Sequence, residues 1–188
     1  MVTMGILNKL LGKKDVDRKM HFGPNRVITE VRRALRDDEG NPLYDEHGDV
    51  MYSDRVERFE NFNIACSTGL DAAKDRLFNN ATTQTIAEYI ALTLNTAAPA
   101  AASTLLAAEI TGSGLARALA TYSVAGCTWG ECILSKTFTA NATVTAVVKM
   151  ALLDAAAAGD LYFEATIASV SLESADQLTA KWDKITLS

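Results

Sequence analysis

Imidazole is the side chain that exchanges protons near neutral pH, so the two histidines are the first residues to weigh for chemistry. His21 and His47 both lie in the polar amino-terminal part of the 188-residue sequence. Neither stands beside a convincing nucleophile, and His47 falls in a predicted turn, where water solvates it. Six acids come next: Asp37, Asp38, Glu39, Asp45, Glu46 and Asp49. As paired catalytic carboxylates they would need a cleft, and an acid-rich turn is ordinarily a solvated surface. As calcium ligands they would need alternate spacing and a distal glutamate, which this stretch does not supply. Three cysteines, Cys66, Cys127 and Cys132, are too few for a disulfide scaffold. Cys127 and Cys132 have the wrong spacing for a Cys-x-x-Cys pair, and no second ligand pair accompanies them, so zinc is not expected. Burial is favoured for these thiols, with a cross-strand disulfide left open. Neither a glycine-rich phosphate loop nor a Gly-x-Ser-x-Gly elbow occurs. The residues therefore predict no catalytic, cofactor-binding or metal-binding site, and a protein that is not an enzyme.

The elements that would position any site are distributed unevenly. Roughly two-thirds of the charged residues precede Leu77, which marks an organisational boundary near residue 80. Hydrophobic residues make up 48% of the chain, but many are alanine, which buries little area. The core is thus expected to be thin, or completed by neighbouring subunits. A net charge of -5 argues against a direct nucleic-acid role, since phosphate binding needs a basic surface. No apolar run is long enough for a membrane span. Residues 1–14 place Ile6, Leu7, Leu10 and Leu11 ahead of Lys13 and Lys14. A secretion signal has the opposite order, so none is read, and synthesis in a reducing cytoplasm is expected. An amphipathic helix docking on this protein or a partner is favoured there over one lying on a membrane.

Residues 26–36 alternate partly and also carry a weak helical stripe, so strand and helix both stay open. An internal repeat follows, DDEGNPLY (37–44) and then DEHGDVMY (45–52). The glycine at the fourth place and the Asn or Asp after it predict two successive turns, in a small meander or an extended arm. Residues 56–65 read as a strand. Residues 69–80 read as a helix with Thr68 as cap and Asp71 in the first turn. Strands are predicted over 88–96, 115–124, 130–140, 143–155, 160–169 and 176–187. The alanine-rich connection at 96–110 offers a short helix capped by Ser103. Alternation puts Cys132, Leu134 and Phe138 on one face, as it does Leu161, Phe163, Ala165 and Ile167, and Leu178, Ala180 and Trp182. The predicted fold is mainly β, an antiparallel, jelly-roll-like β-sandwich over 56–188 with one short helix, preceded by an extended charged arm over 1–55.

The order of several sequence words carries a resemblance. They are CSTGLDAAKDRLF (66–78), YIALTLNTAAPAAASTLLAAEI (89–110), SGLARALATYS (113–123), SKTFTANATVT (135–145), VVKMALLDAAAAGDLYFEATI (147–167) and DQLTAKWDKITL (176–187). In that order they resemble a family of small β-sandwich domains found in structural genes of tailed bacteriophages, in tail, fibre, neck or minor virion proteins. The likeness covers about the last two-thirds of the chain. It departs from the family at 93–95, where a glycine-containing turn is usual. The resemblance implies a non-enzymatic virion structural protein, made in the host cytoplasm and placed in the virion.

In that reading the partners are other virion proteins, namely portal or neck, tail or capsid subunits, and further copies in a homo-oligomer. A tail or neck adaptor or fibre-type component leads. Capsid cement or decoration is the alternative, as is a host-surface receptor or glycan-binding module. Leu7, Leu10 and Leu11 are the expected apolar anchors. Arg32, Arg33 and Arg36 are weighed equally as inter-subunit charge partners and as a solvated face. Trp129 is a candidate exposed contact, and Trp182 is expected in the core.

Overall fold

The computed structural model describes residues 22–78, 86–128 and 131–187. Among these residues ten strands and one helix occur in chain order: β1 (Phe22–Ala34), β2 (Tyr52–Asn61), β3 (Ile64–Ala65), α1 (Ser67–Phe78), β4 (Tyr89–Thr93), β5 (Ala118–Leu119), β6 (Thr121–Ser123), β7 (Glu131–Thr139), β8 (Val144–Leu153), β9 (Leu161–Leu172) and β10 (Gln177–Leu187). They form two five-stranded sheets, ordered β2-β1-β10-β7-β6 and β3-β9-β8-β4-β5. Every neighbouring pair is antiparallel. The fold is the antiparallel β-sandwich that the alternation predicts.

The inward faces meet in one apolar core. Val27 and Val31 of β1, Leu134 and Phe138 of β7, and Leu178, Ala180 and Trp182 of β10 come from the first sheet. Ile90 and Leu92 of β4, Val147, Met150 and Leu152 of β8, and Phe163, Ala165 and Ile167 of β9 come from the second. Phe163 and Trp182 join the layers, with ring centroids 6.0 Å apart and planes tilted by 48°. Such a tilted pair adds about 1 kcal/mol to the area its rings bury.

The second sheet is also covered on its outer side. Cys66, Ala91, Leu106, Ala151, Leu153 and Leu161 form a smaller cluster there. Alternation in β9 assigns Leu161 to the same face as Phe163, but the two sit in different clusters. The cause is a register shift, with Leu152 opposite Phe163 and Leu153 opposite Leu161, so that Tyr162 is the extra residue. The helix α1 lies against this strand at Gly69, where a Cβ would come within 2.6 Å of the Tyr162 carbonyl oxygen.

Several boundaries differ from the sequence reading. Residues 22–34 are not an arm. β1 lies between β2 and β10, with Val27 opposite Trp182 and Val31 opposite Leu178, so a division at residue 55 cuts through a sheet. The charge of this segment hid its role, because one face of β1 carries Arg26, Glu30 and Arg32 while the other feeds the core. Thr68 does not cap α1. The helix starts at Ser67, and the Leu70 amide donates to the Cys66 carbonyl at 3.1 Å. Asp71 then falls beyond the first turn. The 96–110 connection contains turns and no helix. Its backbone is drawn into pairing with β4, as Ile110 N–H donates to Leu92 C=O at 2.9 Å and Thr93 bridges to Glu109.

Candidate interaction surface

The double turn between β1 and β2 is the most distinctive surface feature, and its geometry follows from the repeat. In the first copy the Asp37 carboxylate accepts hydrogen bonds from the amides of Glu39 (3.1 Å) and Asn41 (2.7 Å). In the second, Asp45 accepts from His47 (2.8 Å) and Asp49 (2.9 Å) at the same offsets. Gly40 and Gly48 take φ of 86° and 85°, a left-handed conformation that strains residues bearing a Cβ. The amide of Asn41 and then its side chain hold the Asp37 carboxyl below its ordinary value.

The two turns close on each other through the backbone. Leu43 N–H donates to Leu35 C=O at 2.8 Å, Met51 N–H to Leu43 C=O at 2.9 Å, and Leu35 N–H to Met51 C=O at 2.8 Å. These three residues are spaced by eight, so the repeat makes a closed, near-threefold ring of hydrogen bonds. Their side chains stay partly in water, at 37% for Leu35, 37% for Leu43 and 41% for Met51, with Tyr44 beside them at 58%. Asp37, Asp38, Glu39, Asp45, Glu46 and Asp49 of the same two turns are all exposed. The result is a tip that carries partly exposed apolar and fully exposed acidic side chains.

A buried carboxylate fixes the base of this tip. Asp176, only 2% exposed, accepts from the Ala34 amide at 2.9 Å and the Glu173 amide at 3.1 Å. It also accepts from Arg33 at 2.9 Å and Arg36 at 3.2 Å. Burial pushes its carboxyl up, but the two amides and Arg33 outweigh that, and the net shift is downward. Arg33 further pairs with Glu57 through two bonds of 3.3 Å, and Arg36 with Glu173 at 2.9 Å. Both arginines therefore hold the turn to the β9–β10 connection within one chain. Arg32 is exposed and lies over the Tyr52 ring, 5.1 Å from its centroid. The structure thus brings Arg32, Arg33 and Arg36 together at the foot of the tip. Leu7, Leu10, Leu11 and Trp129 lie outside the described residues.

Other polar groups are committed to the frame. Lys149 and Glu164 form an ion pair on the outer side of the second sheet, with side chains 3% and 5% exposed. Cys66 is buried nearby, and burial, then the Glu164 charge, pushes its thiol up to about 11. The Thr93 hydroxyl lies 2.5 Å from the Ala107 carbonyl oxygen and 2.9 Å from that of Ala108, and it accepts from the Asn95 amide at 3.0 Å. Arg117 meets Glu109 with both ends of its guanidinium and donates to Ala155 C=O at 2.9 Å. This clamps the 94–110 connection to the β8–β9 turn. Cys127 and Cys132 are half-buried free thiols, not a disulfide. Among the described residues, no three His, Cys, Asp or Glu side chains gather as metal ligands, and no helix is long and apolar enough to cross a membrane.

Sequence reasoning missed Asp176, Lys149 and Glu164. Asp176 and Arg33 are separated by 143 positions, and nothing local marks either as a partner. The turn repeat was visible, but its closure into a ring was not. No family model, curated protein or solved structure matches this chain.

Proposed function

We propose that this protein is a non-enzymatic structural subunit of a tailed-phage virion, acting in the tail or neck region as an adaptor or fibre-type component. The observation that carries the contact role is the apolar tip. Four partly exposed apolar side chains stand on a turn that three backbone hydrogen bonds and the Asp176 bracket hold in one shape. A surface ordered before contact loses little conformational entropy on binding, which favours repeated subunit–subunit assembly. The placement in a phage particle rests on the order of sequence words from residue 66 to the carboxy-terminal strand. The partners in this reading are portal or neck and tail subunits and further copies of the chain.

The test is made on purified particles from cells carrying the gene. Peptides of this chain should be found in the particle by mass spectrometry, and averaged images should place its density on the tail or neck. Density following capsid symmetry would replace this location with a cement or decoration role. Absence of the chain from the particle would end the virion reading.

A further inference from the structure

We infer that the outer edge of β2 pairs antiparallel with β2 of a second copy, joining the first sheets of both copies across a two-fold axis. The inference deepens the subunit–subunit reading above and does not depend on membership of a phage particle. The first observation is the edge itself. β2 and β6 end the first sheet, and β3 and β5 end the second. β3, β5 and β6 are only two or three residues long. β2 runs for ten residues, and no described strand lies beyond it. It contains neither proline nor glycine. A long edge of this kind presents a row of backbone N–H and C=O groups to another strand.

The second observation is the order of charge, which selects a second copy as the occupant. Residues 54–58 read Asp, Arg, Val, Glu, Arg. Read backwards, as an antiparallel neighbour meets it, the run has the opposite sign at every charged place. With Val56, itself 45% exposed, opposite Val56 of the second copy, Arg55 meets Glu57 and Asp54 meets Arg58. Two-fold symmetry repeats each pair. This register keeps core face beside core face, since Glu57 and Phe59 point inward with Val31 and Thr29 of β1. A slip of two residues keeps the faces but sets Arg55 or Glu57 against itself. A slip of one residue turns core face to outer face and sets Asp54 against Glu57, or Arg55 against Arg58. The third observation is what β2 leaves unused within the chain. Its register shifts between Tyr52, opposite Ala34, and Val56, opposite Arg32, so Asp54 and Arg55 face no residue of β1. Both are exposed and form no ion pair among the described residues. Glu57 pairs with Arg33, and Arg58 with Glu30 and Glu60, all partly in water. A carboxylate and a guanidinium each have room for a further partner.

The test uses the full chain and two variants. In sedimentation the parent should form a concentration-dependent dimer, because a two-fold contact uses up the edge it is made from. Asp54→Arg/Arg55→Glu sets like charges opposite each other in both halves of the contact, and should raise the dissociation constant roughly tenfold or more. Both positions are exposed, so its thermal midpoint should match that of the parent. The second variant reads the register directly. Val56→Cys in a Cys127→Ser/Cys132→Ser background should cross-link to a covalent dimer with oxidised glutathione, since directly opposed Cβ atoms lie about 5 Å apart. Adding Asp54→Arg/Arg55→Glu to it should suppress the cross-link. A monomeric parent at about 100 μM overturns the inference, as does undiminished association of the charge variant. Thiols at position 56 that stay free overturn it as well, because a slip of three residues would set Val56 against Phe59. Only the purified chain is used, so these failures are separate from absence of the chain from a virion.

Discussion

Asp176 shows how one residue sets the geometry of a surface it does not reach. Its oxygens accept from two amides and two arginines at the junction where the tip leaves the sandwich. Asp176→Asn keeps the shape but removes the charge, leaving Arg33 and Arg36 without their shared counter-ion. We expect a loss of about 3 kcal/mol at neutral pH in denaturant unfolding. The pH dependence has a defined sign. The folded carboxyl ionises below its ordinary value of 3.8, so its stabilisation is present above that value and is lost as pH falls through the lower folded value. The difference between parent and variant should therefore shrink as the pH falls below 3.8 and vanish once it lies below the folded value. A difference that stays constant as the acid titrates would argue that the asparagine acts by altered packing. Cys66 gives a second check at this scale. It is fully buried, with its thiol pushed up to about 11, whereas Cys127 is half-buried near a chain turn. A thiol reagent at pH 8 should label Cys127 quickly and Cys66 only on unfolding. Rapid native labelling of Cys66 would show that the cover over the second sheet opens.

The second sheet illustrates the element scale, where strand register joins residues that the sequence keeps apart. Lys149 stands opposite Thr93 on one side and Thr166 on the other, while Glu164 stands opposite Ala151 and Ile64. Both side chains of the pair are out of water, 3% and 5% exposed. Removing one member strands the other charge, so Lys149→Met or Glu164→Leu alone should each cost about 3–5 kcal/mol. The double substitution should cost less than either single one, because no buried charge remains. Additive losses in a double-mutant cycle would count against direct coupling. Alternation made β7 and β10 legible in advance, since each has one face toward the core. It failed in β9, where the register shift turns Leu161 to the other side, and where Glu164 is buried despite its charge.

At the scale of the whole molecule, charge composition suggested an arm followed by a domain, and topology replaces that division. β1 supplies Val27 and Val31 to the core and pairs with β10 over most of its length. Removing it would expose Leu178, Ala180 and Trp182 and leave a long, unpaired edge. A chain shortened to residues 56–188 should therefore lack cooperative unfolding, while the full chain melts in a single transition. A shortened chain that melts as sharply as the parent would restore the boundary at 55. The same topology brings the start of β2 and the β9–β10 connection to the foot of the double turn, through Arg33, Glu57, Glu173 and Asp176. The tip is thus fixed to the sandwich and not suspended from it.

The sequence by itself determined the local choices: alternating strands, a short helix, and two glycine turns repeated eight residues apart. These are set by side-chain period and backbone strain, which act over a few residues. Only the tertiary structure decided which strands are neighbours, that a charged segment is an interior strand of a sheet, and that Asp176 holds the foot of the tip. Those outcomes depend on contacts between positions more than a hundred residues apart, where burial and hydrogen-bond satisfaction, not local preference, select the arrangement.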